Sequence, residues 1–471
     1  MRLAEASKPH TLHQKAASCL RHREARVAQP PSAVLAFWAR FWPALPVQEK
    51  TMIRHSTFLF ACCLLLAPLA VAGFAPQTRV GFTTGDQWEP AIAADGYGHV
   101  YILYPQYGGV PGCPSCPSPT AILTISSDRG ATWSAPRVIA PPGSEQVDTQ
   151  IVVDPLDGKT VYAAWLQNSK SDIAFAKSTD FGQTWQVSIA DSTNAGVDKD
   201  ILLVRGNDIY IAYNHAQTIF AASSHDGGAH FAEVKVNQNS HLGWSLAGGG
   251  AIDPAGNVYF SWDGYTQNGG AKGPVNLYVG KSSDGGATWN TTLLDVSGAP
   301  PDCSAYFCGW AFLGAAITMT ADANGTLYAL WNAGAVDKGP ERIYFSRSTD
   351  AGATWSPRQD VSLAAAGVEN SFPAIAARGS GDVRIAWMDS RNSPWWNVYY
   401  RSSNNGGRSW SAESKLSSFV PGYSYISASG FGFPFGDYFE MDIDDTGATQ
   451  AVWGEGLNYD TPGSIWTTHG K

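Results

Sequence analysis

Charge is scarce in this chain. Asp, Glu, Lys and Arg make up 15% of its 471 residues, against 44% hydrophobic and 12% aromatic residues. So many aromatics exclude a disordered polymer. Helical periodicity is scarce too: extended runs of apolar residues at 3.6 spacing are hard to find, which excludes a helix bundle or coiled coil. Short alternating runs take their place, with 49 Gly and 28 Pro to make turns between them. The pattern predicts an all-β protein.

Positive charge becomes scarcer once the first 72 residues are set aside. Met52-Ile53-Arg54-His55 opens a basic segment, Phe58 to Ala72 is apolar, and Ala70-Val71-Ala72 is an A-x-A cleavage site, the three parts of a secretory signal. Signals of this kind sit at N-termini, so residues 1–51 read as a non-native upstream extension, 52–72 as signal peptide and 73–471 as one domain. A membrane anchor with a cytoplasmic tail is the alternative, although the run is short for a span; a lipobox at Leu59–Cys62 fits less well, because the apolar run continues past the cysteine. The first 72 residues hold nine of the 31 Lys and Arg and three of the 40 Asp and Glu. The remainder carries 22 positive against 37 negative charges, a net of −15. That balance excludes nucleic acid and anionic membrane as partners. The predicted location is secreted or periplasmic, without a membrane span in the mature form, and a monomer is expected.

Cysteine is sparse. Of seven, Cys19, Cys62 and Cys63 precede residue 73; Cys113, Cys116, Cys303 and Cys308 remain. Two close pairs in an exported chain predict two local disulfides. Zinc is the alternative, although neither pair has a histidine nearby.

What the chain has in abundance is repetition. One octapeptide recurs six times: SSDRGATW (Ser126–Trp133), STDFGQTW (Ser178–Trp185), SHDGGAHF (Ser224–Phe231), SSDGGATW (Ser282–Trp289), STDAGATW (Ser348–Trp355) and SNNGGRSW (Ser403–Trp410). Self-similarity of this kind marks a repeat architecture. Physically the motif is a hairpin turn: Asp accepts backbone N–H bonds, Gly supplies a left-handed position, and Trp packs back on the sheet. Asp128, Asp180, Asp226, Asp284 and Asp350 are therefore structural, and Asn405 can make the same turn. A second motif, an apolar strand, an Asp/Gly turn and a strand ending in an aromatic, occurs seven times, beginning at Ile92, Ile151, Ile201, Ala251, Ile317, Ala374 and Ile443. Seven of these against six octapeptides leave one outer strand missing near Ile465–Thr468. Thr78–Thr83 can supply it and close the ring. The expectation is a seven-bladed β-propeller of four-stranded blades, about 57 residues each; a six-bladed propeller is the alternative.

The octapeptide resembles the Asp box, or BNR repeat, of sialidases and related propellers, and the resemblance covers the chain from about Gln77 to its end. It implies an exported propeller acting on extracellular glycans. Sialidases hold the substrate carboxylate with three arginines and carry an early Arg-Ile-Pro. This chain has no Arg-Ile-Pro, and the arginines expected on the candidate face are Arg391 and Arg342. That departure puts sialidase activity in the strict sense in doubt, as does the six-blade count of that family.

In an up-and-down propeller the octapeptide and Asp/Gly turns lie on one face. The segments leading into each first strand lie on the other, with the loops after each second strand. That second face gathers Glu89, Asp148, Gln150, Asp198, Lys199, Asp200, Asn370, Asp437 and Tyr438. Trp310 and Phe312 belong to the same lead-in segments; Asp263, Asp389, Arg391, Glu455 and His215 join them from the second-strand loops, and Tyr306, Trp395, Trp396, Tyr423 and Tyr425 from the rim. Carboxylates with flat rings suit a sugar, although polar residues at a channel mouth are also found merely solvated. Asp148, Asp200, Asp437 and Tyr438 are the candidate catalytic groups; Glu89, Asp198, Lys199, Asn370, Asp389 and Arg391 are the candidate ligand-binding groups. Tyr438 could correspond to the tyrosine nucleophile of sialidases. Three functions remain open: a glycoside hydrolase on an extracellular glycan or glycoconjugate, a glycan- or protein-binding propeller without catalysis, and a structural module in which clustered carboxylates hold Ca²⁺. No other cofactor is expected.

Overall fold

The computed structural model describes residues 73–139, 144–237, 242–301, 313–392, 395–417, 420–421, 439–456 and 463–471. It is all-β, and seven antiparallel sheets form the seven blades of a propeller. The innermost strands, counted from blade one, are Ala91–Ala94, Gln146–Val153, Val197–Arg205, Ser245–Ile252, Ile317–Ala321, Asn370–Arg378 and Glu440–Ile443. Each contacts the next, and the seventh contacts the first. Blade seven is completed by the N-terminal strand Thr78–Val80, which pairs with the C-terminal strand in the register Thr78 to Thr467 and Val80 to Ile465. The expected count and the expected closure both hold.

The core is divided as the ring requires. Seven clusters of buried apolar side chains each lie between two successive blades. The aromatic that ends each second strand anchors such a cluster: Trp165, Trp262, Trp331, Trp387 and Trp453 are almost wholly buried. Polar residues two positions further on share the same strand face and accept the indole N–H. Trp165 Nε1 bonds Gln167 at 3.1 Å, Trp387 bonds Asp389 at 3.1 Å and Trp453 bonds Glu455 at 2.7 Å.

The octapeptide turns obey one geometry. In the fourth copy Thr288 N and Ser282 Oγ donate to Asp284 Oδ1 at 2.9 and 2.8 Å, Thr288 Oγ1 donates to Oδ2 at 2.6 Å, and Gly286 N donates to Ser282 Oγ at 2.8 Å. Two successive residues are left-handed, Gly285 at φ 71° and Gly286 at φ 87°. The first, not only the conserved second, needs this conformation, and Arg129, Phe181 and Ala351 adopt it in other copies without being glycine.

The Asp/Gly turns use a further device. Asp95, Asp253 and Asp322 cap their own turns and accept the phenol of the tyrosine six residues on, at 2.9, 3.0 and 2.8 Å. Cys113 and Cys116 form the expected disulfide; Cys303 and Cys308 lie outside the described residues. No helix among the described residues is long and apolar enough to cross a membrane.

Candidate functional site

The innermost strands do not run straight to the face opposite the turns. In blades two, three, four and six the pairing register slips by a bulge just before the strand reaches the axis. Glu89 at the matching position of blade one, and Asp148, Lys199 and Phe372 at the bulges of blades two, three and six, are left-handed, at φ 49°, 51°, 52° and 55°. Non-glycine residues are strained in this region, and such strain collects at functional sites. The residue after each left-handed one is Pro90, Thr149, Asp200 and Pro373. A charge is placed in blade three where the other three blades carry proline or threonine.

Asp200 is 3% exposed, and neither carboxylate oxygen has a hydrogen-bond partner among the described residues. Burial is the largest cause pushing its pKa well above the carboxylate range, and the charges of Asp148, Glu440 and Asp198 add to it. Asp200 therefore holds its proton to higher pH than an ordinary aspartate does. It lines a cavity of about 120 Å³ together with Gln150, Lys199, Asp263, Tyr265 and Glu440. Apart from Thr318 the rest of the wall is apolar or glycine, including Leu246, Ile317, Phe372 and Phe439. Blades four and five leave the room by presenting Ala247, Gly248, Ala315 and Ala316; a Cβ on Gly248 would fall 1.9 Å from the Ile317 carbonyl. Below the cavity, a channel of about 300 Å³ follows the axis, sharing Gln150 and Glu440 with it. At the turn face lies a depression of about 630 Å³ bordered by Asp95, Asp154, Asp253 and Asp322.

Glu440 was not foreseen. It comes from blade seven and takes hydrogen bonds from Gln150 of blade two at 2.8 Å and from the Ile92 amide of blade one at 3.2 Å. Burial raises its pKa to about 7, against the pull of those donors. At the matching position the other innermost strands have Ala91, Gln150, Ile201, Gly249, Thr318 and Ala374, so no repeat points to a carboxylate there.

Lys170 was not foreseen either. It ends a run of three left-handed residues, Asn168, Ser169 and Lys170, and its ammonium bonds Asp198 and stands 3.6 Å from Asp148. Burial opposes its charge, and Asp148 leads the carboxylates that raise its pKa overall.

The sequence-predicted residues divide into groups. Asp148, Asp198, Lys199 and Asp200 come together at the mouth, with buried Glu89 among the acidic groups that act on Lys170. Asn370 is an internal brace: its Nδ2 donates to the Glu341 and Val368 carbonyls, both at 2.9 Å, and Ser362 donates to its Oδ1 at 2.7 Å. Asp389 accepts the Trp387 indole and a two-pronged guanidinium contact from Arg391 at 2.6–3.1 Å. Arg391 also bonds Glu413 and stacks 3.6 Å from the Tyr399 ring centre. Arg342 is engaged by Asp360 at 3.0 Å and by the carbonyls of Ala364 and Ser362. Glu455 caps Trp453 and accepts from Gln77 at 3.2 Å. Trp396 is buried in the core between blades six and seven. Asp437, Tyr438, Tyr306, Trp310, Phe312, Tyr423 and Tyr425, and the Trp395 side chain, lie outside the described residues.

A second buried carboxyl pair escaped the sequence reading. Glu341 accepts the Asn332 amide, and its own backbone N–H donates to Glu369 at 3.1 Å. Burial, then the neighbouring Glu369, drive Glu341 well above its ordinary range; burial brings Glu369 to about 8. Among the described residues no group of three or more His, Cys, Asp and Glu side chains is arranged to hold a metal ion.

No protein-family profile matches the chain, and no curated protein matches it. Solved structures do. A protein of unknown function from Dyadobacter fermentans aligns with TM-score 0.47 and 11% identity, over 84% of this chain and 98% of its own. A polysaccharide lyase, an ulvan lyase bound to a GlcA(1-4)Rha3S fragment, aligns with TM-score 0.49 and 13% identity, over 82% and 95%. The NanB sialidase of Streptococcus pneumoniae aligns with TM-score 0.44 and 12% identity, over 72% and 70%.

Proposed function

We propose that the protein is an exported, sialidase-like propeller acting on extracellular glycans as a glycoside hydrolase at the axial cavity. The observation that carries this reading is Asp200, a buried carboxyl to which no other described residue donates, facing a cavity that also holds Glu440. Glycoside hydrolysis needs one carboxyl that keeps its proton and a second that gives it up. Asp200 fits the first role and would donate its proton to the leaving oxygen. Glu440, titrating near neutrality, fits the second, with Asp148 beside Lys170 as the alternative. Asp437 and Tyr438 directly precede Phe439 and Glu440 in the chain and are proposed to assist at the anomeric carbon. A neutral sugar is the better substrate, since Arg391 and Arg342 are already engaged by carboxylates of the protein.

The size of the cavity supports a second reading. About 120 Å³ is well below the usual volume of small-molecule sites, which suits a binding module that captures one substituent of a glycan. The test is a panel of neutral and sialylated aryl glycosides given to wild type, Asp200→Asn, Glu440→Gln, Asp148→Asn and Tyr438→Phe. Cleavage of a neutral glycoside that Asp200→Asn abolishes supports the hydrolase. Glycan binding without cleavage, lost in the same variants, supports the binding module. Strong sialoside cleavage overturns the neutral-substrate assignment. Export carries its own expectation: N-terminal sequencing of the exported protein should begin near Gly73.

A further inference from the structure

We propose that the turn face carries an anion-binding site between blades five and six, formed by Arg347 and Arg408 and suited to a sulfate or phosphate group. The argument begins with the repeat. Five of the six octapeptide turns carry an aspartate, and hydrogen bonds from their own turns lower the pKa of each. The sixth has Asn405. It keeps every bond of the turn: Ser403 Oγ and Ser409 N donate to its Oδ1 at 2.9 and 3.0 Å, its Nδ2 donates to Ser409 Oγ at 2.8 Å, and Gly407 N donates to Ser403 Oγ at 2.9 Å. The geometry survives and the negative charge is gone. In the same copy the position held elsewhere by Ala131, Gln183, Ala229, Ala287 and Ala353 is Arg408. Both departures shift one turn toward positive charge.

A second cation meets it there. Arg347, from the third strand of blade five, donates through Nη1 to the Gly406 carbonyl at 2.6 Å. This reach is itself part of the repeat, since Lys281 one blade earlier bonds the Ala351 carbonyl at 3.0 Å. One bond leaves most of the Arg347 guanidinium donors unused. Arg129, Arg342, Arg358, Arg384 and Arg391 each have a carboxylate partner; among the described residues Arg347 and Arg408, like Arg79, Arg137, Arg205, Arg378 and Arg401, form no ion pair. Arg347 and Arg408 together line a polar cavity of about 360 Å³ with Asn324, Thr349, Asn404 and Asp322. Asp322, the carboxylate of that lining, already accepts from the amides of Asn324, Thr326 and Gly381 and from the Tyr328 hydroxyl, at 2.8–3.0 Å. Two neighbouring guanidinium forks without an anion of their own match the oxygens of a sulfate or phosphate. The site lies on the face away from the axial cavity and does not depend on what that cavity does.

Isothermal titration with inorganic sulfate and inorganic phosphate tests the site, and glucose 6-sulfate and glucose 6-phosphate distinguish the source of the anion. Wild type is expected to bind at least one of them. Arg408→Ala, and Asn405→Asp, which restores the carboxylate of the other turns, should each weaken binding by about tenfold, the equivalent of one charge-assisted hydrogen bond. Neither should move the unliganded melting temperature by more than about 2 °C, because Arg408 is exposed and aspartate makes this turn elsewhere. Wild type that binds none of the four, or variants that bind as wild type does, would overturn the proposal.

Discussion

Asp284, on a turn at the rim, and Asp200, at the axis, are the same side chain in opposite surroundings. Asp284 accepts from Thr288 twice and from Ser282, and these bonds, Thr288 first, hold its pKa down at about 2. Among the described residues no other residue donates to Asp200, which is pushed up by burial and by its acidic neighbours. The first is a charge spent on local structure; the second is a carboxyl whose surroundings at the cavity wall favour its protonated form. The difference follows from the repeat. Asp284 stands where five copies agree, whereas Asp200 stands where one blade departs from the others. Glu440, Asn405 and Arg408 are departures of the same kind.

The largest effect expected from this contrast is on activity. Asp200→Asn should lower turnover of a cleaved glycoside by about 10²–10⁴-fold, the usual contribution of a general acid, with the melting temperature at pH 7 no lower than wild type. Asp284→Asn should leave turnover within about twofold. Equal losses in steady-state assays of the two variants would erase the distinction.

Next comes the pH dependence of stability, in which the two groups pull in opposite directions. The turn aspartates have folded values below their ordinary 3.8. Their contribution is present above pH 4 or so and is lost as pH falls toward about 2. Asp442, Glu440, Glu369 and Glu455 have folded values raised to about 6, 7, 8 and 8, chiefly by burial. The folded state then holds more protons than the unfolded chain, so stability declines as pH rises from about 4 to about 8. Melting temperature should peak near pH 4–5. Glu440→Gln should remove part of the decline, on the order of 3 kcal/mol for a shift from 4.5 to about 7. A profile that rises steadily from pH 4 to 8 would contradict this reading of the axis.

The geometry of the turns was legible because six copies of one octapeptide leave little choice, and the seven aromatic-ended strands gave the blade count and the closing partner of Thr78–Val80. Asp200 and its acidic neighbours could be placed at the mouth because repeat position fixes distance from the axis. Glu440 could not, because a position held by alanine, glutamine, isoleucine, glycine and threonine in the other blades carries no pattern. Lys170 was hidden by its loop, whose left-handed run has no glycine to announce it. Asp389 and Glu455 could have been read more closely: a carboxylate two residues after a strand tryptophan shares its face and meets its indole N–H, as both do. Arg391 has Asp389 two residues before it on the same strand, and that spacing was the available sign that its charge is already answered.

Smaller effects sharpen the turn side of the comparison. Asp284→Ala removes acceptors from Thr288 and Ser282 and should lower the melting temperature by about 2 °C, with ligand affinity unchanged in calorimetric titration. Asp284→Asn should move it least, by under about 1 °C, since Asn405 already makes the turn in the sixth copy.

The central claim is that Asp200 stays protonated at neutral pH, and difference infrared spectroscopy of wild type against Asp200→Asn reads that proton directly. At pH 7 the difference should contain the carbonyl stretch of a protonated carboxylic acid in wild type that the variant lacks, undiminished until the pH is well above neutral. A carboxylate band at pH 7, with no protonated carbonyl lost in the variant, would show Asp200 ionised and would contradict the account of the axial cavity.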